Sequence, residues 1–118
     1  MASSRFELVQ DGEGKFHFHL RSPDGNALLR SLGCDSKIMA QNEVIHARTS
    51  LRDAARMVPH HGDDGEHFVV LKDRDGSVLA RSPQVHTVDE LSSLADLIRT
   101  CGSTAPIVDL TRRRAEGA

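Results

Sequence analysis

The segment "FHFHLRS" (16–22) alternates apolar and polar positions. That period of two predicts a strand, half-buried on the face of Phe16, Phe18 and Leu20, with His17, His19 and Arg21 on the other face. Asp24-Gly25 follows, a pair suited to the positive φ of a tight hairpin turn, and "NALLRS" (26–31) returns as the partner strand. The same succession recurs later as "HFVVLKD" (67–73), Asp75-Gly76 and "SVLARS" (77–82).

A helical period follows each hairpin. Thr87 and Glu90 form a Thr-x-x-Glu capping box, and Leu91, Leu94, Ala95 and Ile98 then make one apolar stripe. Gly102 reads as the glycine just past the helix end. In the first half Asp35 or Ser36 caps, and Ala40, Val44, Ala47 and Leu51 form the stripe of a helix reaching about Ala54.

A shift of 51 residues lays "GKFHFHLRSPDGNALLRS" (14–31) on "GEHFVVLKDRDGSVLARS" (65–82), with seven of eighteen positions identical. Arg30/Arg81 and Ser31/Ser82 are among the identities, Arg21/Lys72 keeps its charge, and Arg48/Arg99 and Thr49/Thr100 also match. The shift aligns "RFELV" (5–9), "RMVPH" (56–60) and "IVDL" (107–110) as well, so the middle segment both ends one copy and begins the next. Two tandem β-β-β-α-β repeats result, at about 5–58 and 56–110, in one domain spanning 1–118. Pro59, lacking an N–H, belongs at a sheet edge or a bulge. Arg30 shares strand parity with Leu28, so one of them faces the less suitable side or a bulge intervenes. "HHGDDGEH" (60–67) is the loop between the halves, and 111–118 is expected to be a disordered tail.

The β-β-β-α-β order, the segment "GKFHFHLRSPDGNALLRS" and the "DSK" helix start at 35–37 resemble the YegP-like domain family of small bacterial proteins. The likeness spans about 5–110 as a tandem pair. Two positions depart from the family pattern. Cys34 and Val85 stand where an aromatic precedes the helix, and Glu43 and Leu94 stand where the helix carries a small glycine. The resemblance implies an α+β fold: one antiparallel sheet with C-terminal strands exchanged between the halves, and helices on one face. It implies no activity and supplies no catalytic residues.

Of the 118 residues 38% are apolar and only 3% aromatic, four Phe with no Trp or Tyr. Single-strand stacking platforms need more rings. The net charge is −2, and a mildly acidic body argues against a dedicated nucleic-acid binder. "MASSRFELV" shows neither the basic nor the apolar region of a secretory leader, and no apolar run approaches the roughly 18 residues of a membrane span. The expectation is a cytoplasmic protein with Cys34 and Cys101 as reduced thiols.

His17 and His19 lie about 7 Å apart along one strand face, a spacing open to two ligands of one metal or to two solvated positions. The shift places Phe68 and Val70 at those positions, so either the second copy slips register or its outer face is covered. An apolar patch there suits a partner or self-association surface. Arg21, Arg30, Lys72 and Arg81 recur as paired cations able to grip an anion. The His and acidic residues of "HHGDDGEH" lack the spacing of a metal motif. Cys34 sits near a helix start, where a thiol pKa falls, without a histidine at motif spacing. No phosphate loop, nucleophile elbow or dinucleotide fingerprint occurs. No metal, cofactor or catalytic residue is assigned.

The reading is a non-enzymatic cytoplasmic interaction or structural module, with His17, His19, Arg21, Arg30, Phe68, Val70, Lys72 and Arg81 as binding candidates on the open sheet face. Its partner is a protein or a second copy, so the chain is a monomeric internal pseudo-dimer or a weak homodimer. Membrane and nucleic acid are not expected. The alternative is a small-ligand, anion or RNA binder using the same face.

Overall fold

The computed structural model describes residues 3–62 and 64–111; Asp63 and most of the expected tail lie outside them. The chain is α+β. Its elements run β1 (Arg5–Gln10), β2 (Phe16–Arg21), β3 (Ala27–Ser31), α1 (Lys37–Ser50), a 3-10 turn (Ala54–Arg56), β4 (Met57–His61), β5 (His67–Lys72), β6 (Val78–Arg81), α2 (Val88–Gly102) and β7 (Ile107–Asp109). One seven-stranded sheet takes the order β4-β5-β6-β3-β2-β1-β7. No described helix is long and apolar enough to cross a membrane.

Alternation builds the core. Phe6, Leu8, Phe18 and Leu20 are fully buried in the first half, as are Val69 and Leu71 in the second. Phe6 and Phe18 meet edge to face at 5.6 Å. The stripes of α1 (Ala40, Val44, Ala47, with Leu51 beyond its end) and α2 (Leu91, Ile98) join the same cluster, so both helices cover one face. Thr87 caps α2 through the Glu90 amide at 3.0 Å, and Ser36 rather than Asp35 caps α1.

Every strand pair is antiparallel except β1 with β7, which run parallel. Parallel neighbours need a long crossover, which α2 supplies in carrying the chain from β6 to the far side of β1. At the other end α1 leads into β4, which pairs antiparallel with β5 of the second half, so the segment that closes the first copy also opens the second. Pro59 therefore lies on an edge strand, as its missing donor requires.

The Leu28 parity conflict resolves as a bulge. Leu20 faces Leu29 and Arg21 faces Ala27, leaving Leu28 as an extra, buried residue. Leu79 holds the matching place between Ala80 and Val78. Ser31 and Ser82, 51 residues apart, each accept a neighbouring strand's amide (Phe18 and Val69) at 2.8 Å. In both turns only the glycine takes positive φ (Gly25 90°, Gly76 87°); the aspartate before it does not.

Two expected boundaries move. The first helix ends at Ser50, not Ala54, because Asp53 caps the separate 3-10 turn by accepting the Ala55 amide. Gly102 is the last residue of α2, not the stop beyond it, and its φ is not positive. It is small because α2 crosses the core closely there. A Cβ at Gly102 would lie 2.3 Å from Leu51 Cδ1 and 2.9 Å from Leu20 Cδ2, both on fully packed side chains. Gly102→Ala should therefore cost about 1–3 kcal/mol despite the better helix propensity of alanine. Denaturant unfolding checks this; an unchanged or raised midpoint would contradict it.

Candidate binding face

The strand face away from the helices can be followed across the sheet from the register. Glu7 lies opposite His19, His19 opposite Arg30, Arg30 opposite Arg81, Arg81 opposite Val70, and Val70 opposite Val58. Arg5, His17, Arg21, Phe68 and Lys72 stand two residues along from members of this row, on the same face. All eight binding candidates thus share one surface. No register slip separates the halves, since Val70 holds against Arg81 the place His19 holds against Arg30.

The first half of this face is polar and internally satisfied. Glu7 accepts Arg5 Nε and Arg21 Nε, each at 2.9 Å. Burial alone would raise the Glu7 carboxyl; the hydrogen bonds from Arg21 and Arg5 overcome it and hold the group below its usual range. His17 is not a solvated position. It is 9% exposed, with Nε2 on the Asp11 carboxylate at 2.7 Å, Nδ1 3.3 Å from the Ser31 carbonyl, and Gly33 against its ring. That hydrogen bond keeps the Asp11 carboxyl below its usual range. His19 is half-buried; burial, then Arg21 and Arg30, push its pKa down, and its Nδ1 is buried without a partner. His17 is thus bonded to Asp11 while His19 is not, and the two do not act as a ligand pair.

The second half is partly covered by its own side chains. His60, opposite Phe68 in the ladder, stacks on its ring at 4.6 Å, and the Arg81 guanidinium lies 4.9 Å from the ring centroid. Phe68 is therefore a platform for Arg81 as much as an apolar patch. Among the described residues Arg30, Lys72 and Arg81 form no ion pair. Asp11 and His60 were not among the sequence candidates. The ladder register would have found His60, whereas Asp11 lies beyond the strand pattern.

The other chemical candidates disperse. Cys34 is buried, and burial followed by Glu43 and Asp35 pushes its thiol up rather than down. Cys34 and Cys101 are free thiols. In "HHGDDGEH" His61 Nδ1 meets His67 Nδ1 at 2.8 Å across β4 and β5, and Asp63 lies outside the described residues. Among the described residues no three His, Cys, Asp or Glu side chains gather as a metal site. On the helix side His46 Nδ1 reaches Asp73 at 2.9 Å in an open cleft that also holds Asp53, Arg56 and Asp75.

No family model matches the chain. It is 23% identical over 111 residues to the UPF0339 protein YegP of Yersinia pestis, covering 94% of this chain and 99% of that protein. Its fold is similar to the solution NMR structure of the E. coli protein yegP, of unknown function, with a TM-score of 0.87, 20% identity, and 94% and 96% of the two chains covered. It is also similar to that of a UPF0339 protein from Shewanella oneidensis, with a TM-score of 0.89, 21% identity and 98% of each chain covered. The two structures share the fold, and all three relatives support the YegP-like resemblance.

The Glu7 cluster makes a pH prediction. A carboxyl held low in the folded state adds stability above its unfolded pKa, which is lost as pH falls through the lower folded one. Glu7→Gln should cost about 0.5–1 kcal/mol at neutral pH, and the gap from the parent should close as pH falls through the ordinary glutamate range to the lower folded pKa. Urea unfolding across that range measures it; a gap independent of pH would contradict the assignment.

Proposed function

We propose that this chain is a tandem member of the YegP-like family, acting in the cytoplasm as a non-enzymatic module that binds a protein partner through its open sheet face. One observation carries the reading. Both helices cover one side of the sheet, and the bare side presents exposed Arg30 and Arg81 beside Phe68 and Val70. Arginine and aromatic residues are the types enriched at protein interfaces and their energetic centres. Self-association through this face is disfavoured, because stacking two copies opposes cation against cation. A small-ligand, anion or RNA binder is the second reading, favoured by Arg30, Lys72 and Arg81, which have no ion pair among the described residues.

The free chain should run at the mass of one copy, 12.9 kDa, and a partner captured by the parent should be lost from an Arg81→Glu, Phe68→Ser chain. A helix-side change, Glu90→Lys, should leave capture intact. Retention by the face variant with loss from the helix variant would overturn the proposal.

A further inference from the structure

The charge on the open face is not that of the chain. Its strands carry Arg5, Arg21, Arg30, Lys72 and Arg81 against one carboxylate, Glu7, in a protein of net charge −2. Glu7 is spent on Arg5 and Arg21. The cations at the β3–β6 junction and beside it are left without ionic partners among the described residues. Arg30 and Arg81 are directly opposite, an arrangement unfavourable in an antiparallel ladder. An anion laid between them turns that repulsion into two charge-assisted hydrogen-bonding sites.

The surroundings select the kind of anion. A nucleic-acid strand needs flat rings on which its bases stack. Three of the four phenylalanines lie with the core, and the fourth, Phe68, is already engaged by His60 and Arg81. Beside Arg81 the row continues instead into Val70 and Val58, the latter 36% exposed. A second copy would bring the same cations.

Resting on the open-face reading above, we infer that the Arg30–Arg81 junction docks an acidic segment of a partner protein, a carboxylate spanning the two guanidinium groups and an adjoining apolar residue covering Val70 and Val58. Phe68 holds the Arg81 guanidinium ready, so part of the ordering is done before the partner arrives. His19 reports occupancy. The charged groups facing it are Glu7 from β1, His17 and Arg21 from β2, and Arg30 from β3. A carboxylate over Arg30 offsets the cations while the docked segment adds to the burial of the ring, so the His19 ring signals change on binding.

The test is NMR titration of the full chain with three probes: a blocked Glu-Glu-Leu-Glu-Glu-Leu peptide, its Gln-for-Glu counterpart, and oligouridylate of equal charge. The acidic peptide should shift the Arg30 and Arg81 side-chain Nε–H signals, the Val70 methyls and the His19 ring signals. Its affinity should fall with salt, by about tenfold with Arg30→Glu, and by at least that for the Gln peptide. Arg30→Glu places an acid opposite Arg81, so the variant remains folded. Equal binding of the Gln peptide at this face overturns the acidic assignment while the face reading stands. Tighter binding of oligouridylate at the same signals overturns it in favour of a nucleic acid. Shifts confined to other surfaces overturn both.

Discussion

The sheet is continuous because β3 pairs with β6, and that pairing sets two arginines against each other. Arg30 faces Arg81 and Ser31 faces Ala80 across the junction. Like charges directly opposite cost roughly 0.2–1 kcal/mol. Against this, Leu28, Leu29, Leu79 and Ala80 on the same two strands are buried, and each buried leucine contributes about 1.5–3 kcal/mol. Burial wins, and the repulsion is tolerated. The flanking ladders leave the arginines little choice: the bulges at Leu28 and Leu79 set the parity that turns Arg30 and Arg81 outward, and Ser31 and Ser82 tie their strands to β2 and β5 through side-chain acceptors.

The two halves use this frame differently. Where the first places His17, locked to Asp11, the second places Phe68, stacked with His60 and carrying Arg81. Where the first has Glu7, which neutralises Arg5 and Arg21, the second has Val58. The result is a face whose compensated cations lie toward one edge and whose uncompensated ones lie at the centre, next to apolar side chains. Carboxylates elsewhere are engaged locally, Asp73 with His46 and Asp109 with Lys37. Net charge averages over these surfaces, so the mildly acidic total concealed a basic face.

Strand alternation in "FHFHLRS", the Thr87 cap and the stripes at Ala40–Val44–Ala47 and Leu91–Ile98 were legible because each depends on residues near one another in sequence. The identity of Ser31 with Ser82 marked a shared role, but not that their hydroxyls would accept strand amides. What escaped depends on distant partners. Gly102 looked like a helix stop, and only the approach of Leu51 and Leu20 explains it. His17 looked solvated, and only the Asp11 turn and Gly33 cover it. The parallel seat of β7 beside β1 joins the two ends of the fold, which no local pattern encodes. That the eight candidates share one strand parity was legible; that His17 is covered and that Arg21 is neutralised was not, because these rest on Asp11 beyond the strand and on Glu7, a residue on another strand.

On the proposed reading, the junction arginines serve binding at some expense to the free fold. The stability of unbound Arg30→Gln tests it most directly, since Arg30 has no ionic partner to lose among the described residues and its neighbour Arg81 is relieved of a facing charge. Denaturant unfolding at low ionic strength should show the variant at least as stable as the parent, with any gain shrinking as salt is added. A clear loss of stability would mean that Arg30 holds the sheet together, and would overturn a binding role gained at the expense of the fold.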